Sequence, residues 1–268
     1  PDHVVVSIVA IHGLDGHAMT SWTAANDTLW LRDLLPKRIP RARILTYGYN
    51  AYTRGNKLAN ESIYSIGQKL LADLATDRDG SNIQQRPIIF VAHSLGGIVL
   101  KDTLIHADKH EYASYKAIER STYGILFLGT PHQGTAAVDL ATLILRILPV
   151  GSNIILSDLG LQNKVLQQQQ DQYNQIGPRY ATKCYYEMHP TELPLGKMKL
   201  VDRPNAILPE TINSQSLGLY RDHVDICKFG DHTEQDFKTV FFHLSEMVVA
   251  APSKITKIWE EHEKLQGL

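Results

Sequence analysis

The chain has 268 residues, 43% of them hydrophobic and 21% charged, values ordinary for a soluble globular domain. With 27 basic and 28 acidic residues spread along it, it lacks the basic block of a nucleic-acid binder, so nucleic acid is not an expected partner. Two cysteines, Cys184 and Cys227, are too few for a disulfide-stapled scaffold and point to a reducing, cytoplasmic setting.

Strand-like and helix-like stretches alternate from end to end, the pattern of an α/β fold with a largely parallel sheet. His3 to Ile11 is a β-branched run that predicts a buried strand, ending at His12-Gly13. A short helix is expected over Leu29 to Leu35, stopped by Pro36, then a strand over Arg43 to Tyr47. Leu58, Ile63, Ile66, Leu70 and Leu74 recur at helical spacing, which predicts a crossover helix over Lys57 to Ala75. A third strand (Pro87 to Ala92), a helix (Leu95 to Ala107) and a fourth strand (Tyr123 to Leu128) follow. Ala136 to Leu148 and Leu159 to Ile176 have helical patterns, and 136–176 is a candidate lid or pocket wall. Strands over Thr182 to Glu187 and Lys199 to Val201 come next, then closing helices near Glu234 to Val249 and Ser253 to Lys264. Without an internal repeat or a long linker, a single domain over 1–268 is expected, its last helix (250–268) able to lead into a further domain.

No leader pattern opens the chain. The greasiest stretch, Val138 to Val150, is broken by Asp139, Arg146 and Pro149 and falls short of the ~20 residues of a span. No transmembrane segment is expected.

The chemistry centres on Ala92-His93-Ser94-Leu95-Gly96, set between a buried strand and a helix. That is the context of a nucleophile elbow, where a strained strand-to-helix turn exposes a serine hydroxyl and tolerates only small residues two positions away. Ala92 stands where a glycine is usual, and is small enough. The Leu95 N–H at the helix start is one expected oxyanion donor. The loop His12-Gly13-Leu14-Asp15-Gly16 after the first strand supplies the second, from Leu14. Such donors act on charge that develops only in the tetrahedral transition state, each worth ~3–4 kcal/mol.

In this fold the order along the chain is serine, acid, histidine. The expected base is His223, with His232 as runner-up. The expected acid is Glu187 at a strand end, with Asp202 as the alternative. His12, His93, Tyr49 and His132 are expected at the substrate pocket. His106 and His110 have metal-ligand spacing but no third ligand, so neither a metal nor another cofactor is expected.

Five segments together resemble a known family: His-Gly-Leu-x-Gly-His, Ala-Arg-Ile-Leu-Thr-Tyr-Gly-Tyr-Asn, Ala-His-Ser-Leu-Gly-Gly-Ile-Val-Leu-Lys, Leu-Gly-Thr-Pro-His-Gln-Gly and Asp-His-x-x-x-Cys-Lys-Phe. They are similar to the lipase-like α/β-hydrolase domain at the N-terminus of fungal NACHT or NB-ARC (NLR-like, STAND) proteins. They also resemble the serine-active-site-containing protein group and, more distantly, GPI inositol deacylases. The resemblance implies a serine hydrolase of an ester or lipid, with Ser94 and His223 as triad members and Glu187 as acid. It also implies a C-terminal NACHT or NB-ARC partner domain. No Gly-x-x-x-x-Gly-Lys-Ser/Thr occurs here, so such a domain would lie outside this chain. Two other readings share the scaffold: a signalling module in which turnover is incidental, and a peptidase or thioesterase.

Overall fold

Side chains along the central strands point alternately to two separate cores. Ile8 and Ala10, Ile89 and Val91, and Leu126 and Leu128 join one buried cluster; Val9 and Ile11, Phe90 and Ala92, and Ile125 and Phe127 join the other. A strand that is apolar on both faces must be covered on both, which is the signature of a parallel sheet between helical layers. The computed structural model describes residues 4–51, 63–81, 83–132, 167–193, 196–208 and 214–267.

Six parallel strands form the sheet: β1 (Val6–Ile11), β2 (Ala42–Tyr47), β3 (Ile88–His93), β4 (Thr122–Leu128), β5 (Ala181–Glu187) and β8 (Ser214–Leu219), in the order β2-β1-β3-β4-β5-β8. Between β5 and β8 an antiparallel hairpin, β6 (Thr191–Leu193) with β7 (Gly196–Met198), stands outside the sheet. One face of the sheet is covered by α1 (Trp30–Asp33), α2 (Leu35–Arg38) and the long α8 (Gln235–Gln266). The other is covered by α3 (Ile63–Gly80), α4 (Leu95–Lys109), α5 (Ala113–Ser121) and α6 (167–176). A four-residue α7 (Arg203–Ala206) precedes β8.

Four expectations are corrected. Pro36 does not stop a helix; it lies in the first turn of α2, where its missing N–H costs no bond. Lys199 to Val201 is no strand: Leu200 and Val201 are buried in irregular chain, and the Val201 N–H turns to the Glu187 carboxylate. The last strand is β8, whose Ser-Gln-Ser-Leu-Gly-Leu sequence carries the mixed polarity of a sheet edge. The two closing helices are one, running through Pro252. Buried Ala251 and Ile255 continue the apolar stripe across the proline, and Trp259 anchors the far end, its Nε1 donating to Ser121 Oγ (3.0 Å) under Arg120. The helix α5 has no counterpart in the sequence-based expectations. The candidate lid helix over Ala136 to Leu148, residues 159–166 and the start of the crossover helix (57–62) lie outside the described residues.

Candidate active site

Ser94 sits between the last residue of β3 and the first of α4 with φ 50° and ψ −123°. Non-glycine residues seldom adopt positive φ, and such strain gathers at functional sites. Close approaches at two neighbouring positions require glycine. A Cβ on Gly96 would lie 2.4 Å from the His12 carbonyl oxygen and 2.5 Å from that of Ile11. A Cβ on Gly13 would lie 2.8 Å from Ser94 Cβ. The loop after β1 therefore packs directly on the elbow, with Leu14 beside it. Among the described residues neither the Leu14 nor the Leu95 N–H donates to a backbone acceptor.

His12 braces that loop. Its Nδ1 is 2.9 Å from the Gly13 carbonyl, so Nδ1 carries the proton, and Nε2 accepts from the Tyr49 N–H (3.3 Å). The Tyr49 ring stacks on it at 4.4 Å and returns its hydroxyl to the His12 carbonyl (2.8 Å). Burial pushes His12 below the ordinary imidazole range, which suits this neutral tautomer.

His223 follows β8 and is buried. Its Nε2 lies 2.9 Å from Ser94 Oγ. Its Nδ1 lies 3.5 Å from Glu187 Oε1, an ion-pair distance without hydrogen-bond geometry, and it has no other partner. Such contacts are often long in a resting enzyme and tighten when charge develops. Glu187, fully buried at the end of β5, takes the Val201 N–H on Oε1 and faces the Thr191 hydroxyl at 3.5 Å on Oε2.

The other expected residues take the following places. Asp202 is exposed, and its carboxylate takes the Asn205 side-chain amide (2.6 Å) instead of an imidazole. His232 is half exposed beside Asp231. His93 is buried with Nε2 on the His223 carbonyl (2.9 Å). His132 is buried with Nε2 facing Cys184 Sγ (3.5 Å), and burial pushes it well below the imidazole range. His106 pairs with Asp102 at 3.3 Å. No group of three metal-ligating side chains occurs among the described residues, and no described helix is long and apolar enough to cross a membrane.

Two residues without an expected role stand close to these groups. Thr191 lies four residues beyond Glu187, and that spacing was its only signal in the sequence. Lys101, at the end of the quoted Ile-Val-Leu-Lys segment, is buried on α4 with Nζ 2.6 Å from Gln170 Oε1 and 5.3 Å from the Tyr173 ring centroid. Burial brings its amine down to about 7.

A parallel sheet flanked by helices, with a serine at a strained strand-to-helix turn, defines an α/β-hydrolase. The family described as "Putative serine esterase (DUF676)" matches residues 1–172, and the chain belongs to it. Among curated proteins it is similar to Protein SERAC1 of Mus musculus (23% identical over 254 residues, 84% of this chain) and of Danio rerio (24% over 250 residues, 84%). It spans 36% of the length of each. Among solved structures, the mature lipase BlEst2 of Bacillus licheniformis shares the fold, with a TM-score of 0.58 at 20% identity over 92% of this chain and 94% of that one.

Proposed function

We propose that this domain hydrolyses carboxylic esters through an acyl-enzyme on Ser94. The observation that carries the reading is the 2.9 Å approach of His223 Nε2 to a hydroxyl held at a positive-φ elbow. The Ser94 oxygen attacks the ester carbonyl while its proton passes to His223 Nε2. Glu187 stabilises the resulting imidazolium from the Nδ1 side and fixes the tautomer. The Leu14 and Leu95 N–H groups receive the oxyanion. Collapse expels the alcohol, which takes the proton from His223 and leaves Ser94 acylated. Water then repeats the sequence and releases the acid.

An apolar cluster packs beside the elbow. Leu95 and Ile98 of α4 pack with Leu200, Val201 and Ala206, against half-buried Leu14, Leu193 and Met198. Hydrolysis of p-nitrophenyl esters of increasing acyl length tests the reading. A pre-steady-state burst stoichiometric with enzyme, lost in Ser94→Ala, is expected. Turnover that survives Ser94→Ala would overturn it.

A further inference from the structure

The backbone N–H and carbonyl of His223 are each held by a side chain that the reaction does not otherwise use. Its N–H donates to Thr191 Oγ1 (3.0 Å), and its carbonyl accepts from His93 Nε2 (2.9 Å). Thr191 is buried at the start of β6, with its hydroxyl facing Glu187 Oε2 at 3.5 Å. An amide N–H only donates and a carboxylate only accepts, while a hydroxyl has one proton to give. Thr191 must therefore accept from His223 and turn its own proton toward Glu187, which joins base and acid through one hydroxyl.

The His93 side of the clamp is equally determined. A carbonyl only accepts, so the proton is on His93 Nε2. Burial, and then the neighbouring His223, bring His93 down to about 3, so the ring adds no positive charge beside an imidazolium forming on His223. The two rings lie 5.2 Å apart. Other anchors of the loop lie on both sides: His189 N–H on the Arg221 carbonyl (3.1 Å), Ile226 N–H on the Asp222 carbonyl (2.9 Å) and Trp30 Nε1 on the Cys227 carbonyl (2.9 Å).

We propose that Thr191 and His93 are positioning residues that clamp the His223 backbone on either side of its Cα and so hold its imidazole at the Ser94 hydroxyl. The proposal rests on Ser94 and His223 as the reacting pair. Displacing a reacting group by about 1 Å can cost about 10²-fold in rate, and losing either side-chain contact at His223 itself allows a shift of that order.

The test compares removing and conserving variants: Thr191→Val against Thr191→Ser, and His93→Leu against His93→Gln. The readouts are kcat and KM on a short-chain ester, the rate of labelling by a fluorophosphonate, and thermal melting. Thr191→Val and His93→Leu should lose up to about 10²-fold in kcat with KM little changed. Thr191→Ser keeps the hydroxyl and His93→Gln keeps an N–H donor, so both should recover most of the rate. In ¹⁵N-histidine spectra the His223 Nδ1 proton should move in Thr191→Val and stay in place in Thr191→Ser. Full rate in both removing variants, or equal loss in removing and conserving ones, overturns the proposal. If Thr191→Val does not fold, the His93 pair decides by the same comparison. A wild type that never reacts with the fluorophosphonate sinks the underlying reading instead.

Discussion

The two halves of the site are positioned by different physics. From β1 to α4, backbone geometry does the placing: Ser94 sits at φ 50°, and Gly96 is pressed against the His12 and Ile11 carbonyls. From β5 to α8, hydrogen bonds from distant parts of the chain do it. Glu187 and His223 lie at the end of β5 and beyond β8, and the 26 residues between these strands (188–213) supply the Thr191 hydroxyl and the Val201 N–H that hold them. Ser94 is thus built into a local turn, while His223 depends on contacts distant in sequence. Substitutions in the first half should act on folding and reactivity together; those in the second can act on reactivity alone.

The largest effect expected is from His223→Ala, which should lower kcat by about 10⁶ where base and nucleophile act as a unit, and Ser94→Ala should do no worse. Steady-state kinetics with active-site titration would check this, and a large difference between the two would separate the halves. Next, Glu187→Gln should keep the fold and cut kcat by up to about 10⁴ by disturbing the tautomer. Asp202→Asn should change little, because Asp202 is spent on Asn205. The reverse ranking would move the acid to the 199–202 segment.

A pH-dependent stability measurement loads the first half alone. Lys101 lies on α4, seven residues beyond Ser94, and burial brings its amine from the ordinary 10.5 down to about 7. Between these values the unfolded chain binds a proton that the folded chain does not, so this residue makes stability rise with pH across that window; below about 7 both states are protonated and the gain ends. In urea denaturation the wild type should gain on Lys101→Met by on the order of 3 kcal/mol between about pH 7 and 9.5. A constant difference would contradict the buried-amine account. Smaller again is Gly96→Ala, whose Cβ meets backbone and should lower stability by about 1–3 kcal/mol, read as a drop in Tm, and reduce labelling of Ser94 with it.

How much of this was legible in the sequence follows the same division. The buried strands announced themselves by continuous apolar runs, and the elbow and oxyanion loop by small residues at fixed offsets, because each is a local constraint. Glu187 and His223 could be chosen by chain order, but nothing local distinguished Glu187 from Asp202. Only the fold shows one buried and the other exposed. The edge strand β8 was missed because half of its side chains are polar, and Lys199 to Val201 was mistaken for a strand because burial in an irregular segment leaves the same apolar signature. Thr191 and His93 were invisible as a clamp, since their partner is the backbone of a residue 32 and 130 positions away.

The most direct test of the central claim is the site of covalent labelling by a fluorophosphonate, mapped by mass spectrometry. A serine activated by His223 at 2.9 Å should be modified once per chain, on the peptide containing Ser94, with labelling abolished in Ser94→Ala and strongly slowed in His223→Ala. Modification at another serine, or undiminished labelling of Ser94→Ala, would contradict the account.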